Sequence, residues 1–260
     1  MAIVSVDLAY QTWSDIGIVV LYREPTGIAV EAVRSHYQDK SSPTPCAIAT
    51  ALVELCARVN SPFLLIDGPQ AWKDPNNGLR HSRLCERILN TPAKTGLPGC
   101  VKPANYTSFV SFAITVFDSL ENLGCLRLGH PKAPISSQCI AVESFPFSAW
   151  RSLGIKPLPA KAKARLQDLE TCLKNLSLAF PLQIGCTLTH DEIQALVAGL
   201  GGLALEASNH NSYTTAGCAP FVIDGIWREG FIVNPIAPAT SLLATKSDGT
   251  LLASPGHWVL

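Results

Sequence analysis

Residues 64–72 read LLIDGPQAW. Three apolar residues run directly into Asp67, and Gly68-Pro69 then ends the run. With Phe63 in front, FLLID at 63–67 reads as a strand with no polar face. Such a strand needs cover on both sides, which is the position of a parallel central strand in an α/β sheet. A carboxylate at its tip is costly to remove from water unless a cation, a cap or a catalytic proton compensates it.

Upstream, AIVSVDL (2–8), IGIVVLY (16–22) and IAVEAV (28–33) read as three strands with Gly- and Pro-containing turns between them. Connections this short predict an antiparallel meander. Residues 44–59 predict a helix, with Thr44 as its cap and Pro45 in its first turn. That helix is the crossover that makes 63–67 a buried parallel strand.

Downstream, 68–104 is loop-rich, with a short helix around 80–90. Residues 105–122 read as a helix, QCIAVE (138–143) as a strand ending in Glu143, and 146–153 as a short helix stopped by Gly154. The stretch 160–177 has the pattern of an amphipathic surface helix. Residues 189–207 open on a capping box, Thr189 with Glu192, and run apolar nearly all round. Gly199, Gly201 and Gly202 weaken that helix by about 1 kcal/mol each. They make sense where a backbone packs closely on a sheet. Residues 226–233 suggest a last short strand pair. With no internal repeat and no linker, the expectation is one mixed α/β domain over residues 1–260.

Hydrophobic residues make up 47% of the chain and charged residues 15%, which argues against extensive disorder. Twenty basic residues balance twenty acidic ones, so any nucleic-acid contact must come from a local patch. The nine cysteines are odd in number and contain no C-x-x-C pair. They read as small buried hydrophobes in a reducing cytoplasm, not as a disulfide frame or a zinc site. The N-terminus MAIVSVDLAY lacks the basic start of a signal peptide. No apolar run reaches the roughly 20 residues of a membrane span. The expected setting is cytoplasmic, without a membrane; oligomeric state is not legible.

Four acids stand out by position: Asp7 late in the first strand, Asp67, Glu143, and Asp191 in the first turn of the 189–207 helix. Each has a local alternative. Asp191 suits the helix dipole, Asp67 and Asp7 could close turns, and Glu143 could cap the next helix. Brought together, they would repel one another without a cation. Mg²⁺ or Mn²⁺ is the natural partner of such oxygen ligands, and two ions about 4 Å apart can serve a phosphoryl displacement.

The order of elements resembles the ribonuclease H-like fold, with its mixed sheet of an antiparallel three-strand meander plus parallel strands, flanked by helices. VSVDLAY (4–10), LLIDGPQAW (64–72), RLCER (83–87), AVESFP (141–146), THDEIQALVAGLGG (189–202) and REGFIVNP (228–235) resemble domain-of-unknown-function family 429, whose members are predicted nucleases. The resemblance implies that Asp7, Asp67, Glu143 and Asp191 are catalytic and ligate Mg²⁺ or Mn²⁺. Arginine forks suit phosphate, so Arg83 and Arg87 are expected there, with Lys161 and Lys163 matching a lysine slot of the family. The alternative for these is a solvated face, with Glu86 pairing locally.

One departure stands out. The family's helix motif is D-x-x-D-A, and Gln194 stands here where the second Asp falls. The expected function is a metal-dependent nuclease or phosphodiesterase. The alternative is a catalytically degenerate relative that binds a nucleotide, a nucleic acid or a protein partner. A sugar-kinase or actin-like ATPase reading is disfavoured, because DLAYQTW (7–13) holds no glycine for a phosphate loop.

Overall fold

The computed structural model describes residues 1–36, 38–132 and 139–237. Residue 138 of the expected 138–143 strand, and 238–260 of the expected domain, lie outside them. The meander forms as read: β1 (Ala2–Asp7), β2 (Gly17–Glu24) and β3 (Gly27–Ala32) are antiparallel, with Asp7 opposite Gly17. Helix α1 (Pro45–Val59) starts on Thr44, whose hydroxyl accepts the Ala47 N–H at 3.2 Å. It delivers the chain to β4 (Phe63–Asp67), parallel to β1, with Asp7 beside Asp67.

The chain continues through α2 (Leu84–Leu89), a ribbon of β5 (Lys94–Thr95) and β6 (Val101–Lys102), α3 (Thr107–Asn122) and β7 (Leu126–Arg127). Then come β8 (Ile140–Ser144), α4 (Pro146–Ser152), α5 (Leu166–Ala179), β9 (Leu182–Ile184), α6 (His190–Glu206), β10 (Tyr213–Ile223) and β11 (Ile226–Pro235). The sheet order is β10-β11-β8-β4-β1-β2-β3-β9, with β7 beside β8. An antiparallel meander followed by β4 and β8, both parallel to β1, is the ribonuclease H-like sheet.

Side-chain alternation divides the core in two. Val4, Val6, Leu64 and Ile66 pack with α1 and α3. Ile3, Leu65, Val142 and Val233 pack with α4, α5 and α6. The same alternation aims Asp7 and Asp67 at the α6 face.

Three expectations change. The 160–177 stretch is not helical from its start: Lys161–Lys163 make a single 3-10 turn, and α5 begins at Leu166. The Asp168 carboxylate accepts the Arg165 N–H at 2.8 Å, which sets the later start. The final strand pair is longer than read, because β10 carries Gly217 and Pro220, which hide its pattern. A register shift between Cys218 and Phe221 absorbs the proline at the sheet edge. Finally, β8 extends one residue beyond Glu143, to Ser144.

The α6 glycines do allow close approach. A Cβ on Gly199 would lie 2.6 Å from Leu21 Cδ1, and one on Gly202 2.3 Å from Leu65 Cδ1. Gly17 does the same at the helix start, where a Cβ would stand 2.3 Å from the Asp191 carbonyl carbon. Because Gly17 pairs with Asp7, this contact is what brings Asp191 over Asp7. Backbone cannot yield as a side-chain tip can. We therefore expect Gly17→Ala to cost about 1–3 kcal/mol in denaturant unfolding, as overpacking does, and to weaken any ligand binding that needs Asp7 and Asp191 together. Wild-type stability in Gly17→Ala would show that α6 does not bear on β2 this tightly.

Candidate active site at the ends of β1 and β4

Asp7 and Asp67 close adjacent parallel strands in register, and their carboxyls are hydrogen-bonded to each other. Burial raises Asp7 well above the usual carboxylate range, and the charges of Asp67 and Asp191 add to it. Burial also pushes Asp67 up to about 7; the hydrogen bond from Asp7 pulls it down and the Glu143 charge raises it. The two buried carboxyls are thus held in favour of a protonated form, by burial first and by each other's charge second. Beyond Asp67 the chain leaves through Gly68, at φ +152°, where a Cβ would meet Ala113 Cβ at 2.9 Å.

Asp191 is buried at the start of α6, whose capping box is formed as expected by Thr189 and Glu192. Its Oδ2 accepts from Lys161 Nζ at 2.5 Å, and Lys161 also reaches Asp15 Oδ1 at 3.1 Å. Burial lowers the Lys161 pKa, but bonds to the two carboxylates outweigh it and hold the ammonium above its ordinary value. The late start of α5 leaves Lys161 on the 3-10 turn from which it reaches both acids; Lys163 is exposed on the same turn.

His190, beside Asp191, is wedged between two acceptors. Its Nδ1 lies 3.1 Å from Asp191 Oδ1 and its Nε2 2.9 Å from the Pro159 carbonyl. Two acceptors are satisfied only by the doubly protonated ring, and the Asp191 bond raises its pKa.

Glu143 is placed differently. Its register partner is Ile66, on the α1/α3 face, whereas Ser144 pairs with Asp67. Its carboxylate receives both Arg83 Nη atoms, at 2.6 and 2.7 Å, and the Gln70 N–H at 2.9 Å. Arg83 also binds Glu86, and both are buried. Arg83, expected at phosphate, thus has its guanidinium committed to two carboxylates. Arg87 is exposed on α2, which packs on β10 and β11, on the far side of β8 from β4.

A second acid the sequence reading left unassigned, Glu229, joins this side. At φ +58° it accepts from the N–H groups of Asp74 and Leu84 and from Asn77 Nδ2. Gln70, Arg83, Glu86, Glu143 and Glu229 all lie in the motif stretches, so these motifs fasten the 68–104 segment to the sheet. The signal was there: a charged residue beside glycine in REG, within an otherwise apolar strand.

Gln194 also has a packing reason. Its Oε1 accepts the indole N–H of the fully buried Trp150 at 2.7 Å. An Asp there would be one methylene too short for the same contact. The position is turned toward α4, so of Asp191 and Gln194 only Asp191 carries a carboxylate.

By donor chemistry the Asp7–Asp67 pair fits a hard divalent cation: two oxygen ligands in contact, buried, and sharing a proton for want of positive charge. Mg²⁺ is commonly held by one or two carboxylates, with water and phosphate completing the shell. Among the described residues no group of three or more His, Cys, Asp or Glu side chains is arranged to hold a metal ion. Among the same residues no helix is long and apolar enough to cross a membrane.

The sheet and its carboxylate pair define a chain of ribonuclease H-like layout. No family model matches it, and neither does any curated protein. Among solved structures it is similar to RuvC from Thermus thermophilus: 10% identity over 80% of this chain and 97% of that one, TM-score 0.40. RuvC in complex with a Holliday junction substrate matches at 12% identity over 80% and 96%, TM-score 0.38. At these values the likeness says nothing about this chain's chemistry.

Proposed function

We propose that the chain is a divergent member of domain-of-unknown-function family 429 and a metal-dependent phosphodiesterase acting on nucleic acid in the cytoplasm. The observation that supports this most is the Asp7–Asp67 pair, hydrogen-bonded at the ends of neighbouring strands, with Asp191 and Lys161 set against it. Asp7 and Asp67 would hold Mg²⁺ or Mn²⁺, with Asp191 as a neighbouring ligand. A cation bound there would activate water and polarise a phosphoryl oxygen. The chain itself contributes three things. The carboxylate pair gives up its shared proton on loading. His190 fixes the Asp191 carboxylate. The Lys161 ammonium, half-exposed, would meet a phosphate oxygen.

The test is Mn²⁺ calorimetry on wild type and Asp67→Asn, followed by a screen for oligonucleotide cleavage. We expect binding and cleavage in wild type and neither in the folded variant. Cleavage that survives in Asp67→Asn would overturn the assignment. The Gln194–Trp150 bond favours a second reading, a non-catalytic relative that binds a nucleotide, a nucleic acid or a protein partner. Metal binding without cleavage of any nucleic acid would select it.

A further inference from the structure

We propose that Lys161 is a built-in counter-cation of the carboxylate cluster, which a divalent ion must displace in order to bind. This rests on the cation reading of Asp7, Asp67 and Asp191. Asp7 and Asp67 end neighbouring strands in register, and Asp191 opens α6 against Gly17, the strand partner of Asp7. The Lys161 ammonium bridges Asp191, at 2.5 Å, and Asp15, at 3.1 Å, so it already occupies an oxygen of one of these acids. An ammonium and a divalent ion drawn to the same carboxylates exclude one another, by occupying shared oxygens and by direct repulsion. The side chain reaches the acids from a turn, not from within a helix, and its half-exposed stem has room to swing outward. Removing Lys161 should therefore strengthen cation binding. A lysine that only met substrate phosphate would leave binding of the bare ion unchanged, and one that only supported the fold would weaken it.

Calorimetric titration with Mn²⁺ alone, on wild type, Lys161→Met and Lys163→Met, separates these. Lys163 carries the same charge two residues away and serves as the control for long-range electrostatics. Expected is at least about fivefold tighter Mn²⁺ binding in Lys161→Met, the size of a modest coupling between two sites, with a much smaller change in Lys163→Met. Binding seen in Lys161→Met and absent from wild type would support the proposal most strongly. Equal or weaker binding in Lys161→Met, against measurable binding in wild type, would overturn it while the cation site stands. An equal gain in both variants would also overturn it, since net charge would then explain the result. No Mn²⁺ binding in any of the three proteins at millimolar ion would overturn both it and the cation reading.

Discussion

In a chelating buffer, Asp67→Asn is expected to make the protein more stable at pH 8 than the wild type is. An unfolded aspartate ionises near 3.9, whereas Asp67 in the fold ionises at about 7, chiefly because it is buried. Between those values the unfolded chain has lost a proton that the folded one retains. Stability contributed by the protonated carboxyl is thus present below about pH 4, falls as pH rises, and is lost above about pH 7. The full shift corresponds to about 4 kcal/mol at 1.36 kcal/mol per unit; Asp7 shifts in the same direction. An asparagine carries no charge to bury, so the Asp67 share of this fall is absent from the variant, while the share from buried Asp7 remains. At pH 8 the gain should be about 2–4 kcal/mol, a rise in Tm on the order of 5–10 °C. Thermal unfolding at pH 5 and pH 8 measures it. Adding Mn²⁺ at pH 8 should restore the wild type and leave the variant unmoved, because only a ligand of the folded state stabilises it. A wild type equally stable at both pH values would mean that something already balances the pair's charge.

The second large effect is expected on the other face of the sheet. Arg83→Met removes the cation from a buried trio and leaves Glu143 and Glu86 without it; all three are almost wholly buried. Breaking one side of a buried ion pair costs about 3–5 kcal/mol, because the remaining charge stays in low dielectric. Urea unfolding should show that loss, with Tm down on the order of 10 °C. Glu143→Gln should lose less, since it keeps an acceptor for Arg83 and for the Gln70 N–H. Mn²⁺ affinity, measured per folded molecule, distinguishes a fastening role from a ligand role. A fastening glutamate leaves it unchanged in Glu143→Gln; a metal ligand lowers it at least tenfold. Arg83→Met unfolding at the wild-type midpoint would mean that Glu143 and Glu86 find other partners.

Much of the fold was legible locally. The meander, α1 with its Thr44 cap, the apolar β4 and α6 with its capping box each carry their signal within a few consecutive residues. The ends of β1 and β4 were legible too; that they lie in register, with Asp7 beside Asp67, comes from the closed sheet. β10 was hidden, because Gly217 and Pro220 break the alternation that marks a strand, and only pairing with β11 holds it extended.

The partner of each acid was another matter. Glu143 and Ser144 are neighbours in sequence, and either can end a strand. Register decides between them: Ser144 lies beside Asp67, and Glu143 falls on the opposite face, against Arg83. A shift of one residue exchanges the two faces of a strand, and no local pattern reports the register of β8 against β4. Gln194 likewise looks like a lost ligand until Trp150 is seen beside it, 44 positions earlier in the chain. Local propensity and spacing determine where strands and helices begin and end, because their hydrogen bonds and caps involve near neighbours. Which side chains meet at a strand's end depends on pairings between distant segments, and those exist only once the sheet has closed.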